Sequence, residues 1–379
     1  MIIRKFSSNS NILARALMLL FFVFTAQISF AQEHQEHDIM EGAAHSQAKE
    51  DGFNAGEMIM GHVMDDHSWH IMDYTDDEGH KHPVSIPLPI IIYDKTDGSI
   101  HMFMSSKFEH GHASYDGFKL HSQTKIVRAD DHSETGETAA ELLDFSITKT
   151  TAAVFITAIL MLLIFISIAK AYTKRKDEAP SGLQSFLEPI ILFVRDDVAK
   201  PSIGRNYEKY MPFLLTVFFF ILLSNLMGLI PVFPGGSNIA GNIGVTMVLA
   251  VFTFIITTAS TNKAYWVHIV NMPGVPWWLK FPIPIMPLVE VMGVFTKPFV
   301  LMVRLFANIL AGHIVLLGFV SMIFIFGELN PVGGYAVSVF SVAFSIFLTF
   351  LEILVAFIQA YVFTLLSALY FGMAKVTDH

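Results

Sequence analysis

Cysteine is absent from all 379 residues, which removes disulfides, thiolate metal sites and cysteine nucleophiles together. Charge is scarce too: Asp, Glu, Lys and Arg make up 15% of the chain, against 53% hydrophobic residues. One soluble core could not hide that much apolar surface, so a bilayer is the better solvent for most of the chain. The formal net charge of -9 averages two unlike regions. Acids crowd roughly the first 150 residues, whereas Lys and Arg flank the later apolar runs.

The N-terminus reads as a secretory signal over residues 1–31. Arg4, Lys5 and Arg15 supply its positive end, residues 16–24 the apolar stretch, and Ser29-Phe30-Ala31 a small-x-small cleavage site. Residues 32–143 are polar and acidic, hold 13 of the 16 histidines, and are expected outside the cytoplasm. Within them, residues 85–93 and 99–104 flank Asp94-Lys95-Thr96-Asp97-Gly98, which predicts a β-hairpin in a small β element. His67 and His70, His80 and His82, and His110 and His112 are spaced closely enough to share a metal ion, but such spacing is weakly specific. A solvated polar segment is the preferred reading, and neither metal ligands nor a cofactor are nominated.

Residues 144–379 form the membrane domain, an all-α polytopic fold with about five membrane helices. Residues 151–169 are long enough to cross and are followed by Lys170, Lys174, Arg175 and Lys176, which belong in the cytoplasm. The signal and this basic cluster agree on an extracytoplasmic N-terminal region, and the later spans then leave the C-terminus in the cytoplasm of a bacterial-type inner membrane. Residues 185–209 mix apolar positions with Glu188, Arg195, Asp196, Asp197 and Lys200, as an interfacial amphipathic helix would. Residues 212–230 and 243–261 form a hairpin with a Pro- and Gly-rich tip. Asn225, Asn238 and Asn242 near that tip could line a wet vestibule or satisfy turn backbone, and the turn reading is preferred. The last two runs, residues 287–326 and 336–373, would be about 60 and 57 Å long as helices, nearly twice the hydrocarbon thickness. They must tilt steeply or bend, with a kink expected at Pro298 and a connecting turn over residues 327–335.

Between Lys297 and Glu328 the only full charge is Arg304. Inserting it costs about 2.5 to 3.5 kcal/mol on translocon scales, and its guanidinium cannot escape by deprotonating. A permanent cation there calls for a partner carboxylate. Glu290, Asn308 and His313 lie on the same run, and Glu352 and Gln359 on the next, all in apolar surroundings. In an antiparallel pair His313, about 20 Å from the connecting turn, comes near the level of Glu352, about 25 Å from it, and Gln359 comes near Arg304. Asn308 follows Arg304 by one turn on the same face, Ser345, Glu352 and Gln359 form one stripe, and His313 points away from Arg304. Glu290 lies about 21 Å toward the cytoplasm and suits a second path.

Lys297-Pro298 and the run from Arg304 to His313 closely resemble subunit a of the rotary F-type ATP synthase. The likeness extends to Ser224-Asn225-Leu226-Met227-Gly228-Leu229-Ile230-Pro231, to Glu290, and to Glu352 and Gln359, covering about residues 185–375. Many bacterial members carry Glu at the position of His313 and His at that of Glu352. Here the two are exchanged, which still leaves one carboxylate and one imidazole at similar depth. The resemblance implies a non-catalytic, proton-translocating stator subunit in the lipid bilayer, beside a ring of c subunits and b-type stator subunits, within the rest of the synthase. Nucleic acid is not an expected partner. Arg304 would separate two half-channels, with Asn308, His313, Glu352 and Gln359 on the outer one and Glu290 near the inner exit. Residues 32–143 lie outside that family's common core. The alternatives are a metal-ion transporter with a His-rich outer domain, which lacks paired intramembrane ligands, and a membrane anchor presenting that domain, which leaves Arg304 without a purpose.

Overall fold

Apolar periodicity sets the elements of the N-terminal part. The computed structural model describes residues 53–75, 81–111, 113–121, 125–131, 139, 141–174, 178–230, 233–262, 265–266 and 285–374. The expected signal segment lies outside them. A short helix, α1 (Ala55–Val63), precedes seven strands: β1 (Ser68–Thr75), β2 (Lys81–Pro87), β3 (Pro89–Asp94), β4 (Ile100–Met104), β5 (Phe118–Leu120), β6 (Ile126–Arg128) and β7 (Leu142–Asp144). β3 alternates as a half-buried strand should, with Ile90 and Ile92 inside, and pairs antiparallel with both β4 and β7. The expected hairpin around Asp94–Gly98 is therefore present, but its first strand is shorter than expected. Residues 85–87 belong to β2, which pairs with β1 instead, and Leu88 separates the two strands. Ile90, Ile92, Phe108, Phe118, Ile126 and Leu142 make a core separate from that of the membrane helices.

The apolar runs become five helices: α2 (Lys149–Lys174), α4 (Met211–Leu229), α5 (Ile243–Ala259), α6 (Ile285–Leu329) and α7 (Pro331–Met373). Four are long and apolar enough to cross a membrane, and α5, with 17 residues, is just shorter. The amphipathic segment begins as α3 (Leu183–Phe193) and continues through a π-helical stretch (Val194–Ala199), one α turn (Lys200–Ile203) and a 3-10 stretch (Gly204–Lys209). It packs under the end of α7, where Tyr210 stacks on Phe371 and Gly372 meets the Ser202 carbonyl so closely that a Cβ would overlap it.

The turn expected over residues 327–335 is a correction. α6 and α7 are joined by Asn330 alone. Its side chain accepts from the Val332 backbone N–H at 3.0 Å, and Pro331 opens α7 as first-turn proline does. Gly327, Gly333 and Gly334 lie inside the helices rather than ending them. A Cβ on Gly334 would sit 2.7 Å from the Gly327 Cα, so these glycines serve the close approach of two backbones. α6 also continues as helix through Pro298.

The strand region docks on one end of the helices. Asp65 receives the Thr150 backbone N–H and the Thr148 hydroxyl, each at 2.8 Å, and so caps α2 with a carboxylate where its dipole favours one. The buried His67 donates to Asp144 at 2.7 Å. Burial by itself would lower the His67 pKa. The adjoining Asp144 carboxylate, helped by Asp65 and Asp66, reverses this and raises it to about 9. Burial acts the other way on Asp144, yet the His67 contact and the Ser146 hydrogen bonds hold its carboxyl below the ordinary value. The Trp69 ring meets Phe233, in the α4–α5 turn, edge-on at 5.2 Å.

Candidate functional site

Leu301, Leu305 and Ile309 bury one face of α6, which turns Arg304 and Asn308 to the outside. Among the described residues no carboxylate lies within ion-pair distance of Arg304. Its register with α7 follows from three contacts: Phe319 on Phe344 at 4.5 Å, Gly312 against Glu352, and the Lys297 ammonium 5.7 Å from the Tyr370 ring centre. In that antiparallel register the buried Gln359 lies close to the level of Arg304. Arg304 also acts electrostatically on Tyr370.

Behind this face lies a cavity of about 280 Å³, lined by Asn225 and Leu229 of α4, by Asn308, Gly312 and His313 of α6, and by Glu352 of α7, among others. His313 and Glu352 thus meet in one space, although no hydrogen bond or ion pair joins them. Gly312 makes room for the carboxylate, since a Cβ there would lie 2.6 Å from Glu352 Oε1. Glu352 Oε2 and both polar atoms of the Asn225 side chain are buried without a protein partner, as are the hydroxyls of Ser341 and Ser345. Buried polar atoms of this kind take water, and the cavity has room for several molecules. The two serines precede Glu352 along α7, toward its Asn330 end. Asn238 and Asn242 satisfy turn backbone, as expected, by accepting from Gly241 and Gly244. Asn225 does not, and faces the cavity.

A second, smaller cavity of about 20 Å³, room for a single water, lies toward the other end of the helices. Thr253, Thr257, Thr261, Tyr265, Lys297 and Tyr370 are among its lining residues. Glu290, half-buried on α6, is within electrostatic reach of Tyr265. The six expected residues therefore divide: Arg304 and Asn308 on an outer face, His313 and Glu352 in the larger cavity with Asn308 at its edge, Gln359 buried on α7 near the level of Arg304, and Glu290 near the smaller one. Sequence reading missed Gly312, Tyr370 and the threonines of α5. Only the Ala311-Gly312-His313 run, small residues beside an intramembrane imidazole, carried a local signal.

Among the described residues no three of His, Asp and Glu converge as metal ligands. His67 is committed to Asp144, and the pairs at 80/82 and 110/112 fall partly outside the described residues.

An exposed intramembrane cation, a nearby cavity where His313, Glu352, Asn225 and Asn308 converge, and long paired helices define a multi-pass membrane protein built for ion transfer. The family model for the ATP synthase A chain matches residues 151–372, and a domain of unknown function, DUF8433, matches residues 58–145. Proteins named ATP synthase subunit a are similar: 46% identical in Chloroherpeton thalassium, over 62% of this chain and 69% of that one, and 44% in Myxococcus xanthus, over 62% and 75%. "ATP synthase subunit a 2" of Prosthecochloris aestuarii is 44% identical over 62% of this chain and 70% of its own. The chain belongs to the ATP synthase A chain family, a proton-translocating Fo subunit that assembles with the c ring and the rest of the complex.

Proposed function

We propose that the two cavities are the hearts of two half-channels and that Arg304 keeps them apart. The carrying observation is the exposed Arg304, without an ion-pair partner among the described residues, one helical turn from Asn308 at the edge of the larger cavity. The signal segment and the basic residues after α2 support an extracytoplasmic location for the strand region, and hence for the Asn330 end of α6 and α7. A proton from that side would follow Ser341 and Ser345 to Glu352 and His313, then Asn225 and Asn308, to a carboxylate of the c ring. Gln359 helps orient groups at the Arg304 level. The guanidinium favours the ionised carboxylate passing it and repels a proton that would otherwise cross directly. After nearly a full turn of the ring, release leads past Tyr370 and the α5 threonines to Glu290 and the cytoplasm. Flow through the two paths in series turns the ring against this subunit, which b-type subunits hold still, and so drives ATP synthesis.

Arg304→Ala in the assembled complex tests this reading. ATP-driven proton pumping into inverted vesicles is expected to vanish while the subunit stays in place. Normal pumping by the variant would sink the proposal. The metal-transporter reading loses its ground with the family assignment.

A further inference from the structure

Residues 58–145 match a domain to which no function is attached, and the half-channel reading does not use them. With the residues that lead into them from Phe53, they contact the helices at three places, all at the same end. The first is the start of α2, held by Asp65 and by the Asp66 carbonyl accepting from the Lys149 N–H. The second is the α4–α5 turn, where Trp69 meets Phe233. The third is the far end of α6: the Phe53 ring lies 5.0 Å from Phe324, and both carboxylate oxygens of Glu328 accept the Phe53 N–H at 3.0 Å. Glu328 sits at the C-terminal end of α6, where its own helix dipole disfavours an acid. Beside the N-terminus of α1 the same charge is favoured.

The nine residues of α1, Ala55–Val63, join the third place to the first. A helix of that length is a strut of about 13 Å whose span is set by its backbone hydrogen bonds. It packs along the outer end of α6. The cavity beneath is bounded by α4 on one side and α6 on the other; Gly228 of α4 comes close to His313, α4 packs on α7, and α6 packs on both α5 and α7. Beyond His313, however, α6 runs on past the end of α4, which leaves a gap between them at the outer end. α1, anchored on α6 at Phe53 and on the α2 and α4–α5 side through Asp65 and Trp69, spans it.

We infer that the extracytoplasmic domain is a tie across the mouth of the larger cavity, with α1 as the strut that fixes how far α6 stands from α4. This rests on the half-channel reading for its purpose, but the strut can be measured without it. This chain has no cysteine of its own, so introduced pairs report the distance once cysteines of the other subunits are replaced. Spin labels at Leu229→Cys on α4 and Val315→Cys on α6, in the assembled synthase, give the distance across the cavity. Phe53→Ala, Glu328→Gln and the helix-breaking Met60→Pro are each made in that background. The distance distribution is expected to broaden or shift in all three, most in Met60→Pro. Distributions that superimpose on the parent would overturn the tie. In parallel, Leu229→Cys alone is treated with a membrane-impermeant thiol reagent from the outer face. Labelling there, changed several-fold by the strut variants, supports both readings. Absence of labelling in the parent complex sinks the half-channel reading and leaves the strut result standing.

Discussion

At the scale of single residues, Arg304 was visible because nothing else charged lies near it in sequence, and a permanent charge in an apolar run has to be functional or paired. His313 and Glu352 were visible for the same reason, and helix arithmetic brought them to one level. Asn225 was harder to read. An amide near a Gly- and Pro-rich tip has a ready use in the turn, and only its place in the cavity, with neither polar atom bonded, separates it from Asn238 and Asn242. Gly312 carries a sharp expectation. In Gly312→Ala the new methyl displaces the Glu352 carboxylate, so ATP-driven pumping falls severalfold while the subunit still assembles, measured by acidification of inverted vesicles. Asn225→Leu is expected to dry the same cavity and slow pumping without loss of the protein, which activity per assembled complex reads out.

Among the elements, the α6–α7 hairpin departs most from sequence expectation. Three glycines in nine residues look like a loop, and glycine does weaken a helix by about 1 kcal/mol. Here their lack of side chains allows the two helices to touch, and that gain outweighs the intrinsic penalty. Gly334→Val tests it: the branched side chain must push Gly327 away, at about 1–3 kcal/mol, and subunit levels in the membrane should drop. The strand boundary at Leu88 was missed for a different reason. The apolar alternation runs unbroken from Ser85 to Tyr93, and only partner choice, β1 for one half and β4 with β7 for the other, divides it.

At the scale of the whole molecule, α6 spans 45 residues, about 68 Å, in a bilayer whose hydrocarbon core is about 30 Å thick. A tilt well beyond the ~20° average is expected, and polarised infrared spectra of oriented membranes measure it. The fold of the N-terminal strand region has its own pH signature. Because His67 is raised to about 9, its ion pair contributes fully below the ordinary imidazole value of 6.5, and that contribution is lost as pH rises through about 9. Asp144 shifts the other way, so its share is lost as pH falls below the ordinary carboxylate range. The strand region should therefore be most stable at mildly acidic pH, above the ordinary carboxylate range and below about 6.5. His67→Gln is expected to remove about 1–3 kcal/mol and flatten the alkaline limb, followed by the change in tryptophan fluorescence that Trp69→Phe abolishes during unfolding of the complex. Sequence alone carried the multi-span helical architecture, the identity of the polar groups within its apolar helices and the level of each along its helix, because apolar length and helical rise are local properties. Tertiary structure alone decided which of those groups share a cavity, that Asn225 joins them, that the glycines pack rather than turn, and that α1 bridges two helix ends. Those depend on contacts between segments far apart in the chain, whose register no local pattern contains.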